Sequence, residues 1–91
     1  MYMDAKVYVP VMTQFDDEGN MRPMLITWED GRRYIIDRIL DVRPAASMKA
    51  GGQGDRYTVT IKGKQSYLFF ERSAKIKGCQ LGRWFVERKT V

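Results

Sequence analysis

Arg56, Thr58, Thr60 and Lys62 stand at i, i+2, i+4 and i+6. In an extended chain that spacing sends all four side chains to one face. Two cations then bracket two hydroxyls, a set of donors suited to phosphate oxygens. Arg83, in the last apolar stretch, extends this face if the two segments lie close. Tyr67 and Phe69 have the opposite parity to Leu68 and Phe70, and Phe85 the opposite parity to Trp84 and Val86. Whichever parity is core, aromatic rings point away from it, and a ring beside a cation is a surface on which unpaired bases stack. The candidate binding set is therefore Arg56, Thr58, Lys62, Arg83, Tyr67, Phe69 and Phe85. The competing reading is an ordinary solvated strand face, with threonine favoured by strand geometry and the aromatics packed in a satellite cluster.

Other chemistries are excluded by what the chain lacks. It has no histidine and one cysteine, Cys79. Ser-His-Asp and Cys-His catalysis need an imidazole, and a zinc site needs nitrogen or sulfur ligands in number. No residues read together as nucleophile, base and orienter, so no catalytic residue, metal or cofactor is expected. Gly51-Gly52-Gln53-Gly54, between Lys49 and Arg56, has the glycine content of an anion nest. It lacks the Gly-Lys-Ser/Thr of a phosphate loop and the glycine spacing of a dinucleotide fingerprint, and it reads as a flexible connector. Asp37 and Asp41 beside Arg38 and Arg43 read as surface ion pairs. Cys79, among Lys75, Lys77 and Arg83, has cations that would favour its thiolate but no resolving partner.

Sixteen Lys and Arg against eleven Asp and Glu give a net charge of +5 over 91 residues, with an isoelectric point near 9.6. The charge is uneven. Residues 1–30 hold six acids and two bases, whereas residues 31–91 hold fourteen bases and five acids. A basic surface attracts nucleic acid or an acidic protein partner. The lone cysteine fits a reducing compartment. No charged and then apolar leader follows Met1, and runs such as Val7–Met12 are too short to cross a bilayer. A cytoplasmic protein without membrane partners is expected.

These side chains need strands to position them. Extended segments separated by turn signals predict one all-β domain over residues 1–91. The first strand runs Lys6–Phe15, with Val7, Val9 and Val11 on one face and Pro10 marking an edge or bulge. The second runs Arg22–Glu29, with Met24, Ile26 and Trp28 alternating. Asp30-Gly31 predicts a two-residue type I′ hairpin. The third strand, from Arg32 to about Val42, has mixed parity and reads as long and bent, with a bulge near Asp37-Arg38. A short helix there is the alternative, and Pro44–Met48 could hold a helical turn. Residues 50–55 read as a loop, Arg56–Lys62 as the fourth strand, Gly63-Lys64 as a turn, and Ser66–Arg72 as the fifth strand. A basic loop follows over Ser73–Gly82, and Arg83–Lys89 closes the chain. About six antiparallel strands predict a small closed or half-open barrel, SH3-like or OB-like.

The run Trp28-Glu29-Asp30-Gly31-Arg32-Arg33-Tyr34-Ile35-Ile36-Asp37-Arg38-Ile39-Leu40-Asp41 resembles a segment of small bacterial conserved-hypothetical proteins of unknown function. Tyr57-Thr58-Val59 and Arg83-Trp84-Phe85-Val86-Glu87 share the resemblance, which covers most of the chain from Trp28 onward. A more distant actinobacterial-type group with the same outline is similar and is associated with genes for damage-tolerant DNA polymerases. The shared residues are those of strands and turns, so the resemblance implies a common fold and assigns no functional residues.

The expected function is a non-enzymatic binding module whose basic face takes nucleic acid or a nucleic-acid-handling complex. The alternative is a protein-interaction or structural module, as a homodimer through an uncapped edge strand.

Overall fold

The computed structural model describes residues 3–46, 53–77 and 80–90. Every regular element in them is a strand: β1 (Met3–Tyr8), β2 (Val11–Phe15), β3 (Met21–Thr27), β4 (Arg33–Ile35), β5 (Arg38–Ala46), β6 (Gln53–Ile61), β7 (Lys64–Lys77) and β8 (Gln80–Thr90). They form two antiparallel sheets, a five-stranded one in the order β1-β8-β7-β6-β5 and a three-stranded one in the order β2-β3-β4. Eight strands in two sheets thus replace the expected six.

Two corners account for the difference. Pro10 has no N–H to donate, so the β1 ladder ends there. Val9 N–H still donates to the Trp84 carbonyl at 3.1 Å, while the Pro10 carbonyl accepts from Thr27 N–H at 3.0 Å. One residue therefore serves the large sheet and the next serves the small one. The second corner repeats this logic. Ile36 N–H donates to Met24 at 3.0 Å in the small sheet, and Asp37 N–H donates to Thr60 at 2.9 Å in the large one. The long bent third strand is consequently β4 and β5. Its bulge falls between Ile39 and Asp41, at Leu40, two residues beyond the Asp37-Arg38 pair.

The turns also differ in kind from the expectation. Gly31 has φ +85°, but Asp30 stays in the ordinary negative region. Gly31 N–H donates to Trp28 O at 2.9 Å and Trp28 N–H to Arg32 O at 2.8 Å. This is a three-residue loop closed by a left-handed glycine, not a two-residue type I′ turn. The type I′ geometry occurs instead at Lys62-Gly63, with φ 51° and 76°, between the paired residues Ile61 and Lys64. Lys62 is therefore a turn residue and not the end of a strand.

Other boundaries move with the pairing. β5 extends through Pro44 to Ala46, where a helical turn was the alternative; its remaining residues, 47 and 48, lie outside the described residues. Gly54 and Asp55 belong to β6, paired with Glu71 and Phe70. Most of the expected basic loop is strand, because β7 and β8 run on as a long hairpin to Lys77 and Gln80. Cys79 lies outside the described residues, as do Gly51 and Gly52.

The core lies between the sheets. Val9, Ile26, Ile36, Tyr57, Val59, Leu68, Phe70 and Trp84 form one buried cluster, with Val7, Val11, Met21, Trp28, Ile39, Ile61 and Val86 packed against it. Trp84 meets Tyr57 and Phe70 edge-to-face, with centroids 5.1 and 4.9 Å away, a preferred geometry for aromatic quadrupoles. The Tyr57 hydroxyl donates to Met21 O at 3.1 Å, tying β6 to β3. Met24 does not join Ile26 inside, as simple alternation requires. The β2–β3 register shifts between Met12 and Thr13, so that Met12 pairs with Leu25 and Thr13 with Pro23. The extra residue turns Met24 outward and buries Pro23.

Candidate functional site

With Leu68, Phe70, Trp84, Tyr57 and Val59 committed to the core, strand alternation sends their neighbours to the outer face of the five-stranded sheet. The register then aligns one row across all five strands. Tyr8 pairs with Phe85, Phe85 with Phe69, Phe69 with Arg56 and Arg56 with Arg43. At the usual strand separation this row is roughly 19 Å long. It is aromatic at the β1 end and cationic at the β5 end.

The aromatic end is closely packed. Phe69 and Phe85 are stacked, with centroids 5.0 Å apart and planes within 8°. Tyr8 meets Phe85 edge-on at 5.8 Å, and the Lys6 ammonium lies 4.7 Å above the Phe85 ring. Phe85 is consequently only 4% exposed although it points away from the core.

Glu71 organises the charges beside it. Its carboxylate accepts from Lys6 Nζ at 2.6 Å, from the Tyr8 hydroxyl at 3.1 Å and from Arg83 Nη2 at 3.3 Å. The hydrogen bond from Lys6 is the main cause that holds this carboxyl below its ordinary range; partial burial opposes it, and the Tyr8 bond, the Lys6 charge and the Arg83 bond add to the lowering. The Arg83 guanidinium also lies 3.9 Å from the Tyr8 ring centroid. Arg83 thus reaches the expected face, but its charge is engaged there.

The cationic end is more open. The Arg56 guanidinium lies 4.8 Å from the centroid of Tyr67, a cation–π contact. Its Nε is buried without a hydrogen-bond partner among the described residues. Tyr67 is 47% exposed, and Phe69 is half-buried. Arg43 Nε meets Asp41 at 2.6 Å.

Of the seven residues expected from sequence, six share this outer face. Thr58 is 8% exposed, between its neighbours Tyr67 and Asp41 in register, so its hydroxyl is withdrawn from solvent. Lys62 departs from the set: its turn geometry carries the ammonium to 5.2 Å from the Tyr34 ring in the small sheet. Arg56, Tyr67 and Phe69 remain as the accessible part. Sequence reading did not select Lys6, Tyr8, Glu71 or Arg43. Tyr8 was legible as opposite in parity to Val7 and Val9. Its nearness to Arg83 was not, because that depends on β1 pairing with β8.

Among the described residues no group of three His, Cys, Asp or Glu could hold a metal ion, and no helix is long and apolar enough to cross a membrane. Compared with known protein families, with curated proteins and with solved structures, the chain matches none of them.

Proposed function

We propose that this chain is a non-enzymatic binding module of half-open barrel form, working in the cytoplasm, whose five-stranded face takes single-stranded nucleic acid. The observation that carries this reading is the Arg56–Tyr67 pair beside Phe69: a cation held over an exposed ring, next to a second ring, on a sheet face. Such a platform stacks bases and meets the backbone with positive charge, with little sequence preference. Most other cations on the face are already paired, so affinity would rest on stacking as much as on charge. Fluorescence titration of labelled single-stranded and duplex oligonucleotides at several salt concentrations tests it. Single strands should bind more tightly than duplex, with affinity falling as salt rises. Absence of saturable binding at low salt would overturn it.

One observation favours the interaction-module reading instead. Met12, Leu25 and Ile35 form a cross-strand row on the outer face of the small sheet. Met12 is 65% and Ile35 67% exposed, and contiguous exposed apolar residues mark contact surfaces. A second copy packed on this row would give a mass that rises with concentration and an Ile35→Lys variant that stays monomeric. A mass independent of concentration would set this reading aside.

A further inference from the structure

The inner side of the same sheet carries a different feature. A cavity of about 390 Å³ opens between the two sheets, lined by Ile26, Trp28 and Tyr34 of the small sheet and its first turn, and by Val59, Ile61, Leu68 and Val86 of the large one. Its size falls within the range of small-molecule pockets, which are mostly apolar with a few placed polar groups. Those groups gather at one end. Ser66 lines the cavity and pairs with Val59 in register, so it lies near the tip of the β6–β7 hairpin. Lys62 forms the turn at that tip. Its ammonium lies 5.2 Å from the ring of Tyr34, itself a wall residue, and meets no carboxylate among the described residues. Glu87 also borders the cavity, but the alternation of β8, with Trp84 and Val86 inward, carries its carboxylate to the outer face. Lys62 is not itself a wall residue, but its ammonium beside Tyr34 puts a cation next to the end that holds Ser66.

We propose that this cavity binds a small amphipathic carboxylate, with its apolar body between Trp28, Ile26 and Leu68 and its anionic head at Lys62 and Ser66. Two features argue for this chemistry. The wall of aliphatic and aromatic side chains favours a body that leaves water. The unpaired ammonium at the rim favours an anion over a neutral or cationic head, because a charge-assisted hydrogen bond is roughly twice as strong as a neutral one. The turn that carries this residue is anchored: Lys62 N–H donates to Asp37 Oδ2 at 2.9 Å, which ties the hairpin tip to the start of β5. Tyr67 and Phe69 also border the cavity, so the two sites are neighbours; Lys62 belongs to the cavity end alone, its ammonium lying by Tyr34.

The test uses decanoate and decanol, which share a chain and differ in the head. The two tryptophan indole N–H signals of the isotopically labelled protein are followed, with Trp28→Phe assigning them. Decanoate should shift the Trp28 signal saturably and bind about tenfold more tightly than decanol. Lys62 is exposed, so Lys62→Gln should fold normally. It should weaken decanoate by about tenfold and leave decanol unchanged. No saturable shift at Trp28 would overturn the proposal. So would equal affinity for the two probes, or a Lys62→Gln variant that changes both or neither.

Discussion

The Lys6 ammonium on β1 reaches across β8 to the Glu71 carboxylate on β7, 2.6 Å away, and lies over the Phe85 ring on the way. Both side chains are largely buried. The pair joins three strands on the outer face and roofs the stacked Phe69 and Phe85. Its carboxyl is held low chiefly by the Lys6 hydrogen bond. A depressed folded-state value means that the stabilisation is complete above the ordinary pKa near 4.5 and is lost as pH falls through the lower folded-state value. Glu71→Gln should cost about 1–2 kcal/mol at neutral pH, discounted for the solvent that reaches Arg83 and Tyr8. It should also remove part of the pH dependence below that point. Urea denaturation at a series of pH values checks both.

Gly54 sits where a side chain has no room. A Cβ there would strike the Phe70 carbonyl of the neighbouring strand. Backbone cannot swing aside as a side-chain tip can, so Gly54→Ala should destabilise by roughly 1–3 kcal/mol. Thermal or urea unfolding of the variant reads this directly. A neutral substitution would mean that the β6–β7 approach is looser than described.

Tyr57 donates its hydroxyl to Met21 O, and burial, reinforced by the Asp55 charge, pushes its phenol upward. It should ionise above the ordinary tyrosine value near 10 in an alkaline spectrophotometric titration. Its neutral form is favoured on folding, so the associated stability is present below the ordinary value near 10 and lost as pH rises through the raised one. Tyr57→Phe should cost about 1 kcal/mol, since it leaves the Met21 carbonyl without its donor.

The parts of this fold that were legible in the sequence are those set by local physics. Valines at positions 7, 9 and 11 keep one face through the Pro10 corner because a proline ends a ladder without breaking alternation. The parity of Tyr67 and Phe69 against Leu68 and Phe70 placed the aromatic face. Less legible was anything set by pairing across strands. The bulge opposite Met12 and Thr13 turned Met24 outward, and nothing within β3 announces it. Both Asp30-Gly31 and Lys62-Gly63 place a left-handed glycine next to a polar residue. Which of them forms the two-residue turn depends on the register of the flanking strands. That choice decided the fate of Lys62, removing it from the phosphate-facing set and setting it at the cavity rim. Phe85 was lost to the site for a similar reason, because Lys6, which lies over it, comes from the far end of the chain.

The salt dependence of single-strand binding tests the central claim most directly. The slope of log affinity against log salt should become shallower by about 0.7 in Arg56→Gln, the loss of one phosphate contact on a single strand. Tyr67→Ala should weaken binding by about 1–3 kcal/mol with the slope unchanged, as the loss of one stacked base would. Lys62→Gln should leave slope and affinity as they are, because its ammonium lies by Tyr34. Equal flattening by Arg56→Gln and Lys62→Gln, or no effect of Tyr67→Ala, would contradict a binding face built on the Arg56–Tyr67 pair.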